Sequence, residues 1–261
     1  MIKLTAAISD GLLELIRANE VQLDAVEVGP WASVAQVRAF RQSLPGWTVY
    51  LHYGNLVSEL KWVPGTAQAL RAYCEVTQTP WLSFHYSLLP PGYVWLARKT
   101  GWYLPLLESQ DKMIRYFVDR VEELKRFNLP ILLENMPSFP TRQYIAETAV
   151  DIIAEILART GCDFLLDLAH TRSAAAVWGL DVHDYISRLP LEKVRQIHVS
   201  GPRLRNGHLF DAHEDMQAED YRLLAWTLER TRPEMVTLEY FRDREKTRCQ
   251  LARLKEMIGA S

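Results

Sequence analysis

The stretch Asp163-Phe-Leu-Leu-Asp-Leu-Ala-His170 indicates how this chain folds. A short apolar run is typical of a parallel strand covered on both faces, and here the run ends in an acidic residue. A similar run, Pro130-Ile-Leu-Leu-Glu-Asn-Met136, begins 33 residues upstream, and Val194-Arg-Gln-Ile-His-Val-Ser200 begins 31 residues downstream. This spacing is that of a strand followed by a helix.

Eight runs of this kind divide the chain. They are Ile2–Ile8, Leu23–Val28, Thr48–His52, Trp81–Tyr86, Pro130–Met136, Asp163–Leu168, Val194–Ser200 and Met235–Tyr240. Helical spacing of apolar residues lies between them, over Ser109–Phe127, Tyr144–Thr160, Tyr221–Thr231 and Thr247–Ile258. Alternation of eight strands with helices predicts an α/β fold, a single (β/α)8 TIM barrel over residues 1–261. A doubly wound open sheet is the rival, but the glycine-rich dinucleotide motif is missing after the first strand.

The composition narrows the class of protein. The chain has 261 residues, is 48% hydrophobic and carries a net charge of −2, so no overall charge favours nucleic acid or an anionic membrane. Its 3 cysteines form no CxxC pair, which fits a reducing compartment. Neither a signal peptide nor an apolar run of about 20 residues is present, so we expect a cytoplasmic protein that does not bind membranes.

Ionisable residues stand at the carboxyl ends of six predicted strands and just beyond them. In a TIM barrel these ends meet at one face, where enzymes of this fold carry their active sites. Nine residues form the candidate set: His52, His85, Glu134, Asp167, His170, His198, Asp211, His213 and Glu239. Buried carboxylates cost free energy unless cations neutralise them. Imidazole and carboxylate without thiolate are typical ligands of iron, zinc or manganese, so the pattern predicts a metal site.

Nine ligands are too many for one ion, because zinc or iron takes about four to six. Barrel order divides them into a first group (His52, His85, Glu134), a second group (Glu134, Asp167, His198, Glu239) and an outer group (His170, Asp211, His213). Glu134 is predicted to bridge the first two groups, and the second group is predicted to be catalytic. The Asp-x-His pair of the outer group is expected on one side of an extended loop.

Other residues near these strand ends are candidates for binding substrate or supporting the ligands. Arginine side chains clamp carboxylates or phosphates, and Asn or Ser beside a ligand orients it. The candidates for substrate binding are Arg172, Arg203, Arg205 and Asn135, and Asn135 and Ser200 are also candidate orienting donors. Glu27 ends the second strand at the same face. Its predicted role is that of a base, of an orienting partner for a ligand or of a member of a structural ion pair. The long connection Ser87–Glu108 carries four aromatic residues and is predicted to be a lid, a substrate wall or a small hydrophobic cluster.

The order of the candidate ligands resembles the xylose isomerase-like barrel superfamily, which includes DNA-repair enzymes of the endonuclease IV type. Their trinuclear zinc site uses His, His, a bridging Glu, Asp-x-x-His, His, Asp-x-His and Glu, and all nine places are filled here. This resemblance implies, as one alternative, a zinc phosphodiesterase. A sugar isomerase or epimerase with one or two manganese ions is another, and a metal-binding scaffold without activity is the non-enzymatic alternative.

The short sequence motifs around these residues are more similar to those of the multinuclear non-heme iron-dependent oxidases. The similar motifs are Ser83-Phe-His-Tyr-Ser87, Leu132-Leu-Glu-Asn-Met-Pro-Ser-Phe139, Phe164-Leu-Leu-Asp-Leu-Ala-His170, Gln196-Ile-His-Val-Ser-Gly-Pro202, Leu209-Phe-Asp-Ala-His-Glu-Asp215 and Thr237-Leu-Glu-Tyr-Phe-Arg242. The resemblance spans His52 to Arg242. It implies two or three iron ions, dioxygen as co-substrate, and oxidation of a cysteine or C-terminal residue in a ribosomally made precursor peptide. It leaves open a separate peptide-recognition partner protein.

One departure from that family concerns the third metal position. The family often has an Asp-Val-Asn-Asn run, where this chain has Asp167 followed by Leu168, Ala169 and His170. An imidazole here favours a stronger third metal site or a relation nearer the hydrolases.

Overall fold

The computed structural model describes residues 1–88, 109–138 and 146–259. Most of the predicted aromatic connection Ser87–Glu108 and the start of the predicted helix Tyr144–Thr160 lie outside the described residues. Within the described residues, no helix combines the length and the apolar character needed to span a membrane.

Eight parallel strands close into a barrel, so the predicted TIM barrel is confirmed. The strands are β1 (Lys3–Ala7), β2 (Ala25–Val28), β3 (Thr48–His52), β4 (Leu82–His85), β5 (Ile131–Glu134), β6 (Asp163–Asp167), β7 (Val194–Val199) and β10 (Met235–Leu238). Each strand lies within one of the eight predicted runs, and β3 has the predicted bounds. Pairing of β1 with both β2 and β10 closes the sheet.

Helices surround the barrel and connect its strands. Their bounds are α1 (Asp10–Arg17), α2 (Val34–Ser43), α3 (Leu56–Trp62), α4 (Thr66–Thr77), α5 (Gln110–Leu124), α6 (Val150–Thr160), α7 (Leu168–Trp178), α8 (Val182–Ser187), α9 (Ala218–Leu228) and α10 (Arg244–Gly259). The helix predicted over Ser109–Phe127 is α5, with Ser109 as its N-cap and a 3-10 turn at Lys125–Phe127. Apolar residues of α5 at helical spacing, such as Phe117 and Val121, are buried.

The barrel interior is built in layers that differ by two residues along each strand. The lower layer, which we call the floor, is an apolar cluster of Ala25, Tyr50, Trp81, Leu132, Leu165 and Met235. Two residues further along β3, β5 and β6, the side chains are His52, Glu134 and Asp167. Because side chains alternate with a period of two along a strand, these polar residues point into the barrel just above the floor. We call this polar layer the mouth.

A two-stranded antiparallel hairpin follows β7 at the mouth. Its strands are β8 (Gly201–Arg205) and β9 (His208–Glu214), in the segment that the sequence predicted to be a loop. Gly201 is required at the base of the hairpin, where it pairs with Glu214, because a Cβ there would lie 2.3 Å from the carbonyl oxygen of Asp215. The prediction of a loop was wrong because the hairpin is short and half-exposed, so its residues carry no continuous apolar pattern.

Candidate metal centre

The first group lies at the ends of three adjacent strands. His85 on β4 and Glu134 on β5 are direct partners in the sheet register, so their side chains point to the same face. The Nε2 atoms of His52 and His85 lie 3.1 and 3.0 Å from Oε2 of Glu134. These three residues offer ligand atoms that all lie within 4.8 Å of one another.

The second group uses the other oxygen of the same glutamate. Nδ1 of His198 lies 3.4 Å from Oε1 of Glu134 and 3.4 Å from Oε1 of Glu239. Asp167 on β6 is paired in register with His198 on β7, and all four residues are buried. Because Oε2 of Glu134 faces the first group and Oε1 faces the second, this side chain has the arrangement of a bridging ligand.

The contacts at Glu134 fit cation binding better than hydrogen bonding. Both of its carboxylate oxygens, Oδ2 of Asp167 and Nδ1 of His198 are buried without a hydrogen-bond partner among the described residues. Two ligand atoms held about 2.1 Å from one ion, at tetrahedral or octahedral angles, are about 3.0 to 3.4 Å apart. The nitrogen–oxygen distances of 3.0 to 3.4 Å at Glu134 in the first two groups match this separation. The residues therefore fit metal ions at both groups.

The charges at the mouth depend strongly on one another. Burial raises the pKa of Glu134, but His85 and His52 outweigh burial and hold that pKa well below its ordinary value. Burial raises the pKa of Asp167 to about 7, although the neighbouring His170 opposes this. Burial lowers the pKa of His213, but Glu239 and Asp211 raise it to about 9. Such closely packed acids and imidazoles are stable together only when positive charge, from protons or from metal ions, balances the carboxylates.

The outer group lies between helix α7 and the hairpin. Nε2 of His170 is 3.3 Å from Oδ2 of Asp211, and Nδ1 of His213 is 3.4 Å from the same oxygen. Nε2 of His213 also lies 3.3 Å from Oε2 of Glu239, which joins the outer group to the second group. His213 has a φ of 45°, a left-handed conformation that is uncommon for a residue other than glycine. The three outer residues do not meet the mutual 4.8 Å spacing found in the other two groups.

Two histidines, His52 and His85, are oriented through the ring nitrogen that faces away from the groups. Nδ1 of His52 contacts the Ser83 hydroxyl at 3.1 Å, and Nδ1 of His85 contacts Oδ1 of Asn55 at 3.2 Å. His170 is also oriented by a hydrogen-bond partner, since its Nδ1 lies 2.7 Å from the carbonyl oxygen of Asn135, but the same nitrogen lies 3.5 Å from Oε1 of Glu134. Hydrogen bonds of this kind fix the tautomer of an imidazole ligand and leave the other nitrogen free to bind a cation.

Asn135 and Ser200 contact ligand residues rather than open space. The amide of Asn135 accepts from the backbone N–H of Asp167 at 2.8 Å and donates to the Asp167 carbonyl at 3.1 Å. The Asn135 side chain is fully buried, so its contacts support an orienting role. They do not support the prediction that Asn135 binds substrate. The Ser200 hydroxyl donates to Oδ1 of Asp211 at 3.2 Å.

The three candidate substrate arginines have different surroundings. Arg172 forms ion pairs with Glu219 and Asp220 on α9. Arg203 forms an ion pair with Asp215 at 3.2 Å. Arg205 on β8 is exposed and has no carboxylate within ion-pair distance among the described residues. Only Arg205 of the three therefore presents an unpaired guanidinium in the part of the chain described.

Four polar residues that support the ligands were not predicted from the sequence. Three of them stand two residues before a predicted ligand on the same strand and are fully buried, namely Ser83, Gln196 and Thr237. Their period-two spacing from predicted ligands was the signal that places them on the same interior face. Asn55 follows β3 in a turn, and nothing in its sequence position pointed to His85.

Comparison with known proteins relates the chain to one enzyme family. A model of the RiPP precursor modification enzymes MbnB/TglH/ChrH matches residues 38–257. A UPF0276 protein of Acaryochloris marina is 30% identical over 111 residues, which are 42% of this chain and 39% of that protein. A UPF0276 protein of Bordetella pertussis is 35% identical over 143 residues, covering 52% of this chain and 49% of the relative. The alignments thus span less than half the length of these curated relatives.

Solved structures share the fold at low sequence identity. A xylose isomerase domain containing protein from Salmonella typhimurium has a TM-score of 0.67 at 13% identity, covering 98% of this chain and 97% of the other. A D-tagatose 3-epimerase-like protein has a TM-score of 0.56 at 17% identity, covering 99% and 98%. These similarities show that the chain shares its barrel fold with these proteins.

Proposed function

The chain belongs to the MbnB/TglH/ChrH family of RiPP precursor modification enzymes, and from this premise we propose that it is an iron-dependent oxidase. Its substrate is a cysteine or a C-terminal residue of a ribosomally made precursor peptide, with dioxygen as co-substrate. The observation that carries the proposal is the glutamate whose two oxygens face two ligand groups, Glu134 between His52, His85 and His198.

The donor set is compatible with iron. Imidazole and carboxylate ligands without a thiolate suit iron, manganese or zinc, and the free cysteines are not part of either ligand group. His52, His85 and Glu134 would hold one ion, and Glu134, Asp167, His198 and Glu239 would hold a second. His170, Asp211 and His213 are proposed to hold a third. When bound, the irons supply the redox chemistry with dioxygen that no side chain of this chain supplies.

The protein's own part is to hold, orient and shield this centre. Ser83, Asn55 and Asn135 fix three histidine rings, so that the ligand atoms are in place before a cation arrives. The apolar floor below the mouth excludes water from one side of the site. Substrate is then expected to approach the ligand groups from the opposite side, where the hairpin carries His213.

Arg205 is the side chain that we propose for binding a carboxylate of the peptide. Its guanidinium has no ion-pair partner among the described residues, whereas Arg172 and Arg203 are already paired with acids. A guanidinium without a partner is suited to bidentate contact with a carboxylate, such as the C-terminus of a peptide.

The direct test uses protein purified without oxygen and loaded with iron. Incubation with a precursor peptide encoded beside its gene, in the presence of air, is expected to change the mass of the peptide. The same mixture without oxygen, and protein loaded with zinc in place of iron, should leave the mass unchanged. Full activity with zinc in the absence of oxygen contradicts the proposal, as does cleavage of an abasic DNA duplex or epimerisation of a ketose in place of peptide oxidation.

A further inference from the structure

Glu27 is a buried acid at the mouth that belongs to neither of the closely spaced ligand groups. It lies on β2, is 0% exposed, and is paired in the sheet with Ala7 on one side and Tyr50 on the other. One of its oxygens, Oε1, has no hydrogen-bond partner among the described residues. A buried carboxylate that is only partly satisfied stabilises a fold poorly, so its burial here points to a role other than stability.

The other oxygen of Glu27 faces the second group from behind. Oε2 lies 3.2 Å from Nε2 of His198, whose Nδ1 faces Glu134 and Glu239 at 3.4 Å. His198 thus stands between Glu27 and the position where the second ion would bind. An acid, an imidazole and a metal in this order form an arrangement that strengthens the imidazole as a ligand.

The neighbouring amide decides which nitrogen of His198 carries the hydrogen. Nε2 of Gln196 donates to Oε2 of Glu27 at 2.7 Å and to the Thr237 hydroxyl at 2.8 Å, which uses both of its hydrogens. The amide is held in this orientation because Oε1 of Gln196 accepts from the indole of Trp81 at 3.1 Å. Nε2 of His198 lies 2.9 Å from the same amide nitrogen and receives no hydrogen from it. Nε2 of His198 must then be the protonated nitrogen, with Glu27 as its acceptor.

His198 differs in this respect from the two histidines of the first group. The outward nitrogens of His52 and His85 meet a hydroxyl and an amide oxygen, both of them neutral. Among these three rings and within the described residues, only His198 has a carboxylate behind it. The second group therefore receives an added negative charge through its histidine, and the first group does not.

We propose that Glu27 is a positioning residue for the second metal ion. By accepting the hydrogen on Nε2 of His198, it directs Nδ1 toward Glu134 and Glu239 and makes that nitrogen a stronger ligand. This inference rests on the metal centre of the proposed function, but it concerns one ion only.

The test is a metal titration that resolves the two ions. Protein stripped with a chelator is titrated with Co²⁺ under nitrogen, following the visible absorption bands, and the bound metal per chain is measured after gel filtration. Wild type is expected to bind at least two ions. Glu27→Gln keeps the shape of the side chain and leaves a neutral acceptor. It is expected to lower the affinity for one ion about 10- to 100-fold and to leave the affinity for the other unchanged. Glu27→Leu removes the acceptor as well and is expected to lower the affinity for the same ion further.

Thr227→Val is the matched control. It removes a buried hydroxyl that donates only to the carbonyl oxygen of Leu223 within helix α9, away from Glu27, Gln196 and His198. It is expected to bind both ions like wild type. The melting temperature of each metal-free variant is measured in parallel, because a purely structural role of Glu27 would lower it.

The outcomes separate this inference from the proposed function. Wild-type affinity for both ions in Glu27→Gln overturns the inference and leaves the metal centre standing. Equal weakening of the binding of both ions, or equal losses of affinity in Glu27→Gln and Thr227→Val, also overturns it. If the wild-type chain binds no ion, the metal centre of the proposed function fails, and the role of Glu27 fails with it.

Discussion

The floor and the mouth of the barrel lie on the same strands, only two residues apart, and they have opposite chemistry. Tyr50, Leu132 and Leu165 pack together in the floor, whereas the residues two positions further along carry an imidazole or a carboxylate. Floor residues lose contact with water and gain packing, which stabilises the fold. Mouth residues are equally buried but leave polar atoms without partners, which costs free energy. The difference indicates that the mouth is retained for binding rather than for stability.

Glu134→Gln is expected to have the largest effect, because it removes the side chain that both groups share. Glutamine offers one neutral oxygen where the glutamate presents two charged ones to His52 and His198. We expect a loss of several kcal/mol of transition-state stabilisation, or roughly 10³-fold in the rate of peptide oxidation. Peptide mass spectrometry measures the rate, and circular dichroism checks that the barrel is folded. A variant that keeps both ions and most of its activity would refute the bridging role.

Leu132→Ala changes the floor directly below Glu134. It should lower the stability of the fold and leave metal binding intact. Leu132 is 0% exposed, so its truncation leaves a cavity and is expected to cost about 2 to 5 kcal/mol of the free energy of unfolding. Urea denaturation measures this cost. The number of bound metal ions should stay that of wild type at low temperature. Loss of metal without loss of stability would show that floor and mouth are not separate in function.

Removal of the metal by a chelator should destabilise the protein because the ligand groups at the mouth lose their ions, while the packing of the floor is unchanged. At a free metal concentration about 100 times Kd, binding adds about 2.7 kcal/mol of stability, or a rise in Tm of roughly 5 to 10 °C for a chain of this size. Leu132→Ala should show the same metal-dependent rise in Tm from a lower starting point, and Glu134→Gln should show little or none. Scanning calorimetry with and without chelator gives both values, and an equal rise in Glu134→Gln would place the ions elsewhere.

His213→Ala tests the outer edge of the mouth, where the His213 side chain is partly exposed. His213 contacts Asp211 and Glu239 but neither of the first two histidines, so the first two ions should remain. We expect about a 10-fold loss of activity, which corresponds to about 1.4 kcal/mol. Metal analysis together with steady-state rates checks this, and loss of all ions would mean that the outer group is not distinct from the second.

Arg205→Ala should have the smallest effect, since its side chain is exposed on the hairpin. Stability should change by no more than about 0.5 kcal/mol. If Arg205 holds a peptide carboxylate, KM for the peptide should rise several-fold with kcat unchanged. The reason is that the lost contact stabilises the bound substrate and the transition state equally. Arg172→Ala is the comparison, and an equal rise in KM there would argue against a special role for Arg205.

The sequence pattern predicted the barrel well because parallel strands buried on both faces are continuous apolar runs. All eight strands were located, and the ends of six of them supplied the candidate ligands. The hairpin β8–β9 was missed because its exposed residues lack such a run. The partners that orient the histidines were missed in part for a different reason: Asn55 and His85 are 30 residues apart, and only the closed sheet brings them together.

By itself, the sequence determined which residue types stand at the strand ends and that they share one face, because a strand alternates its side chains with a fixed period of two. Tertiary structure alone decided which atoms meet: that Oε2 of Glu134 faces His52 and His85 while Oε1 faces His198, and that Glu27 lies behind His198 from 171 residues away. The physical reason is that alternation is a local property of the backbone. Contacts across the barrel depend on how the strands close and in which register they pair, and no local pattern encodes that.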